Sequence, residues 1–282
     1  MDIAILLTYG FLLLAAITVW FYIKLFRKTH LWLVFAGVSF VLAIFFERAT
    51  LFSFGYVLFL GCITYYYFKV KHIVLFLLLV LFSVPLLLHF PALGFHNYKY
   101  LDKVIVSDGA SPYSLYLNLD KAMIGIFIIG FGLQERKPIS IALIKRVVIN
   151  LLLMCTLFLF LTMLLGYTRF EPKLPYFTPV WVFTNLFFTC MAEEALFRKL
   201  IQQKIYASLT FKYRSQISVL IASVIFGLAH FNGGPIYVIL STLAGLFYGH
   251  IYFKTNRTES AILLHFTFNL VHLLLFTYPS LS

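Results

Sequence analysis

Uncharged apolar runs of roughly 17–25 residues recur along most of the chain, parted by short polar or basic connections. A helix of that length crosses a hydrocarbon core of about 30 Å. The repeated strand-like alternation at ten-residue spacing that marks a transmembrane barrel is missing. The pattern predicts an all-α fold, a polytopic transmembrane helical bundle of about ten spans. They fall at residues 3–26, 31–46, 49–68, 73–88, 122–133, 147–166, a seventh opening near Val180, 215–231, 235–253 and 259–278. No basic region precedes the first run and no small-residue cleavage site follows it, so it reads as a retained helix and not a signal peptide. The fifth run, residues 122–133, is a span only if tilted, extended at its ends or re-entrant.

Between His89 and Asp120 the pattern breaks at Pro91, Gly94, Gly109, Pro112 and three aspartates, which predicts a polar loop. The expected organisation is therefore a four-span region at 1–89, a polar loop at 90–121, the short fifth span with a cytoplasmic loop at 122–146, and a core at 147–278. Past Arg198, apolar residues alternate with Lys199, Gln202, Gln203, Lys204 and Lys212 at helical spacing. Part of that stretch is expected to prolong the seventh span and the rest to lie in the interface.

Composition excludes a soluble domain. The 282 residues are 62% hydrophobic and 11% charged, against about 25% charged in globular chains. The net charge of +12 sits in the connections, which points to orientation and lipid headgroups and not to nucleic acid. Sixteen of the 22 Lys and Arg follow the odd-numbered spans, which makes those connections cytoplasmic and puts both termini on the other side. Small loops suggest a bacterial inner membrane. Cys62, Cys155 and Cys190 all fall within spans with no Cys-x-x-Cys pair, and read as small buried apolar residues.

Against this background the ionisable residues inside spans stand out, because charge is costly in hydrocarbon and usually serves a purpose there. Met191-Ala192-Glu193-Glu194-Ala195-Leu196-Phe197-Arg198 sets two carboxylates and a guanidinium in an apolar helix. Glu194 and Arg198, four apart, can pair. Glu193, turned about 100° away, has no evident local partner, and a desolvated glutamate that can take a proton suits a general base. His230 ends the eighth run, while His265, Asn269 and His272 share one face of the tenth. A base, a partner to orient water and two donors for an oxyanion form the inventory of acyl transfer to water. The bland alternative is an interhelical charge and hydrogen-bond network without chemistry.

Glu-Glu-x-x-x-Arg at 193–198, Phe-x-x-x-His at 226–230 and His-x-x-x-Asn at 265–269, in that order on three spans, resemble the CaaX protease and bacteriocin-processing (CPBP, or Abi) family of glutamate-dependent intramembrane proteases. The likeness covers about Val147 to Tyr278, and the helix around Ala244–Tyr252 resembles the small-residue helix which that family sets between its second and third motifs. It implies that Glu193 and His230 activate the attacking water, that His265 and Asn269 hold the oxyanion, and that Glu194 and Arg198 support the helix and the local field. His272 and His250 read as structural, and Gly245 with Gly249 as a close-packing face.

No cofactor is expected. Two histidines and a carboxylate could bind zinc, but the chain has no His-Glu-x-x-His pair on one helix and Asn269 would be a poor fourth ligand, so a metal-free mechanism is preferred. The expected partners are a membrane-associated protein or peptide substrate and the lipid bilayer. The rival readings are a non-proteolytic regulator or immunity protein of the same fold that binds another membrane protein, and a transporter. An internal inverted repeat, which would favour the transporter, is not evident.

Overall fold

The structure is a computed structural model that describes residues 2–23, 30–132 and 140–282. Ten helices and one strand pair are present among them. The helices are α1 (Ile3–Trp20), α2 (Leu31–Phe45), α3 (Leu51–Val70), α4 (Ile73–Leu87), α5 (Leu119–Gly132), α6 (Ile141–Leu164), α7 (Thr178–Ser208), α8 (Arg214–Leu228), α9 (Gly234–Thr255) and α10 (Thr258–Leu275). Each corresponds to one of the ten expected runs. Six are long and apolar enough to cross a membrane unaided: α1, α3, α6, α7, the stretch containing α9, and α10. This is an integral membrane protein. The expected ends of the first span at Lys24–Phe26 and of the fifth at Leu133 lie outside the described residues, as do the basic residues Lys24, Arg27, Lys28, Arg136 and Lys137.

The chain divides into two compact units that do not follow its order. The first comprises residues 1–100, 116–137 and 183–196, and the second 101–115, 138–182 and 197–282.

In the first unit α5 is the central element. Every residue from Leu119 to Gly130 is buried. At 14 residues α5 is about 21 Å long, too short for a hydrocarbon core but long enough for a helix enclosed by protein. Glycine lets its neighbours come close. A Cβ built at Gly125 would stand 2.9 Å from both the Cα and N of Ala192 on α7, and one at Gly130 would meet the Trp32 ring of α2 at 2.6 Å.

The segment expected as loop 90–121 is more structured than its polarity suggested. It holds a short turn at Pro91–Leu93, a hairpin of β1 (Tyr98–Val104) with β2 (Tyr113–Leu117), and the start of α5. Asp120 is 2% exposed, so it is part of the core and not of a solvated loop. Its carboxylate accepts from Asn97 Nδ2 at 2.9 Å and is paired with His89 Nδ1 at 2.9 Å, while Asn97 Oδ1 takes the Leu119 N–H. Buried polar groups are tolerated when hydrogen-bonded in this way.

In the second unit α8 and α9 pack through small residues. A Cβ at Gly245 would reach the backbone of Ser223 at 3.1 Å, and one at Gly249 would reach Val219 Cγ1 of α8 at 3.0 Å and Gln202 Oε1 of α7 at 2.8 Å, so these two glycines pack closely against their neighbours. α6 keeps only Met154 and Phe158 buried, as a lipid-facing helix would. The chain end returns along the connection before α7: Phe170 bridges Phe276, and Glu171 N–H and Lys173 N–H donate to Leu275 and Leu274 carbonyls at the end of α10. Lys173 adds its ammonium to the Phe276 carbonyl, and its burial holds its pKa below the ordinary lysine value.

Candidate active site

α7 is not a uniform helix. Met191–Glu194 forms one α-helical turn between two wide π-helical stretches, Thr184–Cys190 and Ala195–Gln202. Such turns widen the spacing of side chains around the axis and are frequent at functional sites. Glu193 and Glu194, on the middle turn, are 4% and 0% exposed in the first unit.

Glu193 has a partner that its own helix did not reveal. The ammonium of Lys121 on α5 donates to Glu193 Oε1 at 2.6 Å, 72 residues away in sequence. Lys121 had read as the end of the polar loop, because a cation just before an apolar run normally marks a boundary. Instead it is 9% exposed and the third residue of a buried helix. It and Gly125 are four apart, so the face of α5 that lets α7 approach at Ala192 also presents the lysine to Glu193.

The second unit gathers three further expected residues around one ring. The Arg198 guanidinium lies 5.1 Å from the Phe226 centroid. The His230 ring lies 4.6 Å from that of Phe226, and His265 meets it edge-on at 5.8 Å. Tyr248 of α9 completes the group, stacked on His265 at 4.4 Å and 15° and 5.9 Å beneath Arg198. Arg198 and His265 are 0% and 5% exposed, whereas His230 is half-buried in the turn after α8.

His230 Nδ1 lies 2.8 Å from the Phe226 carbonyl. A carbonyl only accepts, so Nδ1 carries the hydrogen, and a neutral imidazole then presents Nε2 as its basic nitrogen. The aromatic residue of Phe-x-x-x-His thus supplies both the ring that the other motif residues pack on and the carbonyl that fixes the tautomer. Asn269 is half-buried one turn beyond His265 on α10.

His272 serves the chain end, with Nε2 3.2 Å from the Thr277 carbonyl and its ring against Tyr278 at 5.2 Å. The three cysteines are free thiols. Only Cys190 is buried; Cys155 is half-buried and Cys62 exposed, which corrects the expectation that all three are interior. Among the described residues, no group of three or more His, Cys, Asp or Glu side chains is arranged to hold a metal ion.

Residues 175–271 match the family model described as Type II CAAX prenyl endopeptidase Rce1-like. This segment is similar to that family. The Rce1-like family is a protease family within the CPBP group, so the resemblance carried by the three motifs is shown. The Rce1-like segment takes in Glu193, Glu194, Arg198, His230, Tyr248, His265 and Asn269, while Lys121 lies outside it. No curated protein and no solved structure matches the chain.

Proposed function

We propose that the protein is an intramembrane endopeptidase that hydrolyses a peptide bond in a membrane-associated protein or peptide, close to its C-terminus or a signal-like segment. The observation that carries this reading is the convergence of Arg198, His230 and His265, one from each motif, on Phe226. Motif residues assembled on one ring, with His230 fixed as the Nε2 base, suit chemistry better than a dispersed charge network does.

Glu193 and His230 draw a proton from a water whose oxygen attacks the scissile carbonyl carbon. The carbonyl π pair moves onto oxygen, and His265 with Asn269 stabilises that oxyanion. Collapse re-forms the carbonyl, breaks the C–N bond and returns the proton to the leaving amine, leaving a carboxylic acid whose own proton passes to the amine, so that the products are a carboxylate and an ammonium. No metal enters this scheme. Glu194 and Arg198 act on the field and the helix. The small loops suit a bacterial inner membrane, and the basic connections favour both termini outside the cytoplasm.

The test is a purified preparation in liposomes incubated with a library of membrane-anchored peptides, some with prenylated C-termini, and read by mass spectrometry. Wild type should release fragments, a zinc chelator should leave the rate unchanged, and Glu193→Gln should lower it about 10²–10⁴-fold, the usual contribution of a general base. Fragments released equally by Glu193→Gln would remove the proposed base. Inhibition by the chelator that zinc reverses would replace the metal-free scheme.

A further inference from the structure

We infer that Lys121 is a positioning residue for Glu193, its ammonium holding the carboxylate at Oε1 and balancing its charge within the first unit. The inference rests on the reading of Glu193 as the base that activates water, and it adds a residue from outside the Rce1-like segment.

The two side chains are 11% and 5% exposed and 2.6 Å apart. A charge-assisted bond of that length is at the strong end for nitrogen and oxygen. A buried carboxylate or ammonium is costly on its own, and each offsets the other's lost hydration. The backbone keeps the partners in register. Gly125, one turn on from Lys121, allows α5 and α7 to meet at Ala192, the residue before Glu193. Both residues therefore sit on stiff, buried helices, where a side chain can be held to the precision that catalysis requires.

Other ionisable groups flank the pair. Glu194 follows Glu193 on α7. Asp120 precedes Lys121 on α5, with its carboxylate engaged by His89 and Asn97 and by the Lys121 backbone N–H at 2.7 Å. On α1, Tyr9 takes the Tyr98 N–H and feels both Arg48 and Asp120. With Asp120 so engaged, the Lys121 ammonium is directed at Glu193.

Lys121→Met and Lys121→Arg are compared with wild type in liposomes, on a library peptide that wild type cleaves, with rates normalised to folded protein. The inference predicts that Lys121→Met lowers kcat at least tenfold with KM within about threefold, and that Lys121→Arg, which keeps the cation, recovers part of that loss. It also predicts that the acid limb of kcat/KM moves to higher pH in Lys121→Met, which loss of packing alone would not produce. A Lys121→Met protein with wild-type kcat and acid limb would overturn the inference while leaving the protease reading intact. A lower yield of folded protein with unchanged kcat and pH profile would reduce Lys121 to a structural role. If wild type itself cleaves nothing, the protease reading falls and the inference falls with it.

Discussion

Gly125→Ala tests the helix contact that sets Glu193 in place. The added Cβ would lie 2.9 Å from Ala192 Cα and N and 3.1 Å from the Met191 carbonyl carbon. Non-bonded carbons prefer about 3.5–4.0 Å, so α5 and α7 must part by roughly 0.5–1 Å, and the obstructing atoms are backbone that no rotamer change can clear. Overpacking of this kind costs about 1–3 kcal/mol, or roughly 2–10 °C of melting temperature in a chain of this size. Because Ala192 adjoins Glu193, the same displacement should lower cleavage on the order of 10²-fold. Gly37→Ala in α2 is the internal control, since nothing lies within 4 Å of its built Cβ. That substitution should be neutral or stabilise by up to about 1 kcal/mol through helix propensity. The assay is thermal unfolding in detergent, followed by cleavage per folded molecule. Indistinguishable melting of Gly125→Ala and Gly37→Ala would refute the close approach.

Tyr248→Leu should lower cleavage by up to about tenfold, the worth of an aromatic stack, while Tyr248→Phe keeps most of it. Equal losses in both would show that the ring stacked on His265 is not what matters. Gly227→Val should block folding, because a side chain there meets Thr242 and the Val238 carbonyl, the latter at 2.7 Å. Normal accumulation of that variant would contradict the α8–α9 contact. Lys173 has a depressed pKa, so the unfolded chain binds the proton more tightly. The stability of wild type relative to Lys173→Met should therefore rise as pH climbs through the folded pKa toward the unfolded value of about 10.4, and fall again on return. A difference that does not vary with pH would contradict the burial.

The ten helices were legible because membrane spans advertise themselves by length and apolarity, and the motif residues because charge inside such runs is costly. The hairpin Tyr98–Val104 with Tyr113–Leu117 was hidden by the glycines, prolines and aspartates around it, which read as loop when tertiary partners are unknown. α5 looked like a deficient span because length alone cannot tell a short span from a helix enclosed by protein. Lys121 was missed for the same reason: its role comes from Glu193, 72 positions away. Tyr248 appeared within a small-residue helix, and only the fold puts its ring on His265. The tautomer of His230 depends on a carbonyl one turn back, a contact that helical spacing permits but does not dictate.

Glu193-dependent proteolysis is tested by comparing membrane peptidomes of cells carrying wild type, Glu193→Gln or His265→Ala at matched expression. A terminal fragment of a membrane-associated protein should appear with wild type and vanish in both variants, identifying substrate and cleavage position together. Three matching peptidomes, under conditions where the protein is needed, would contradict it and favour a non-proteolytic regulator of the same fold.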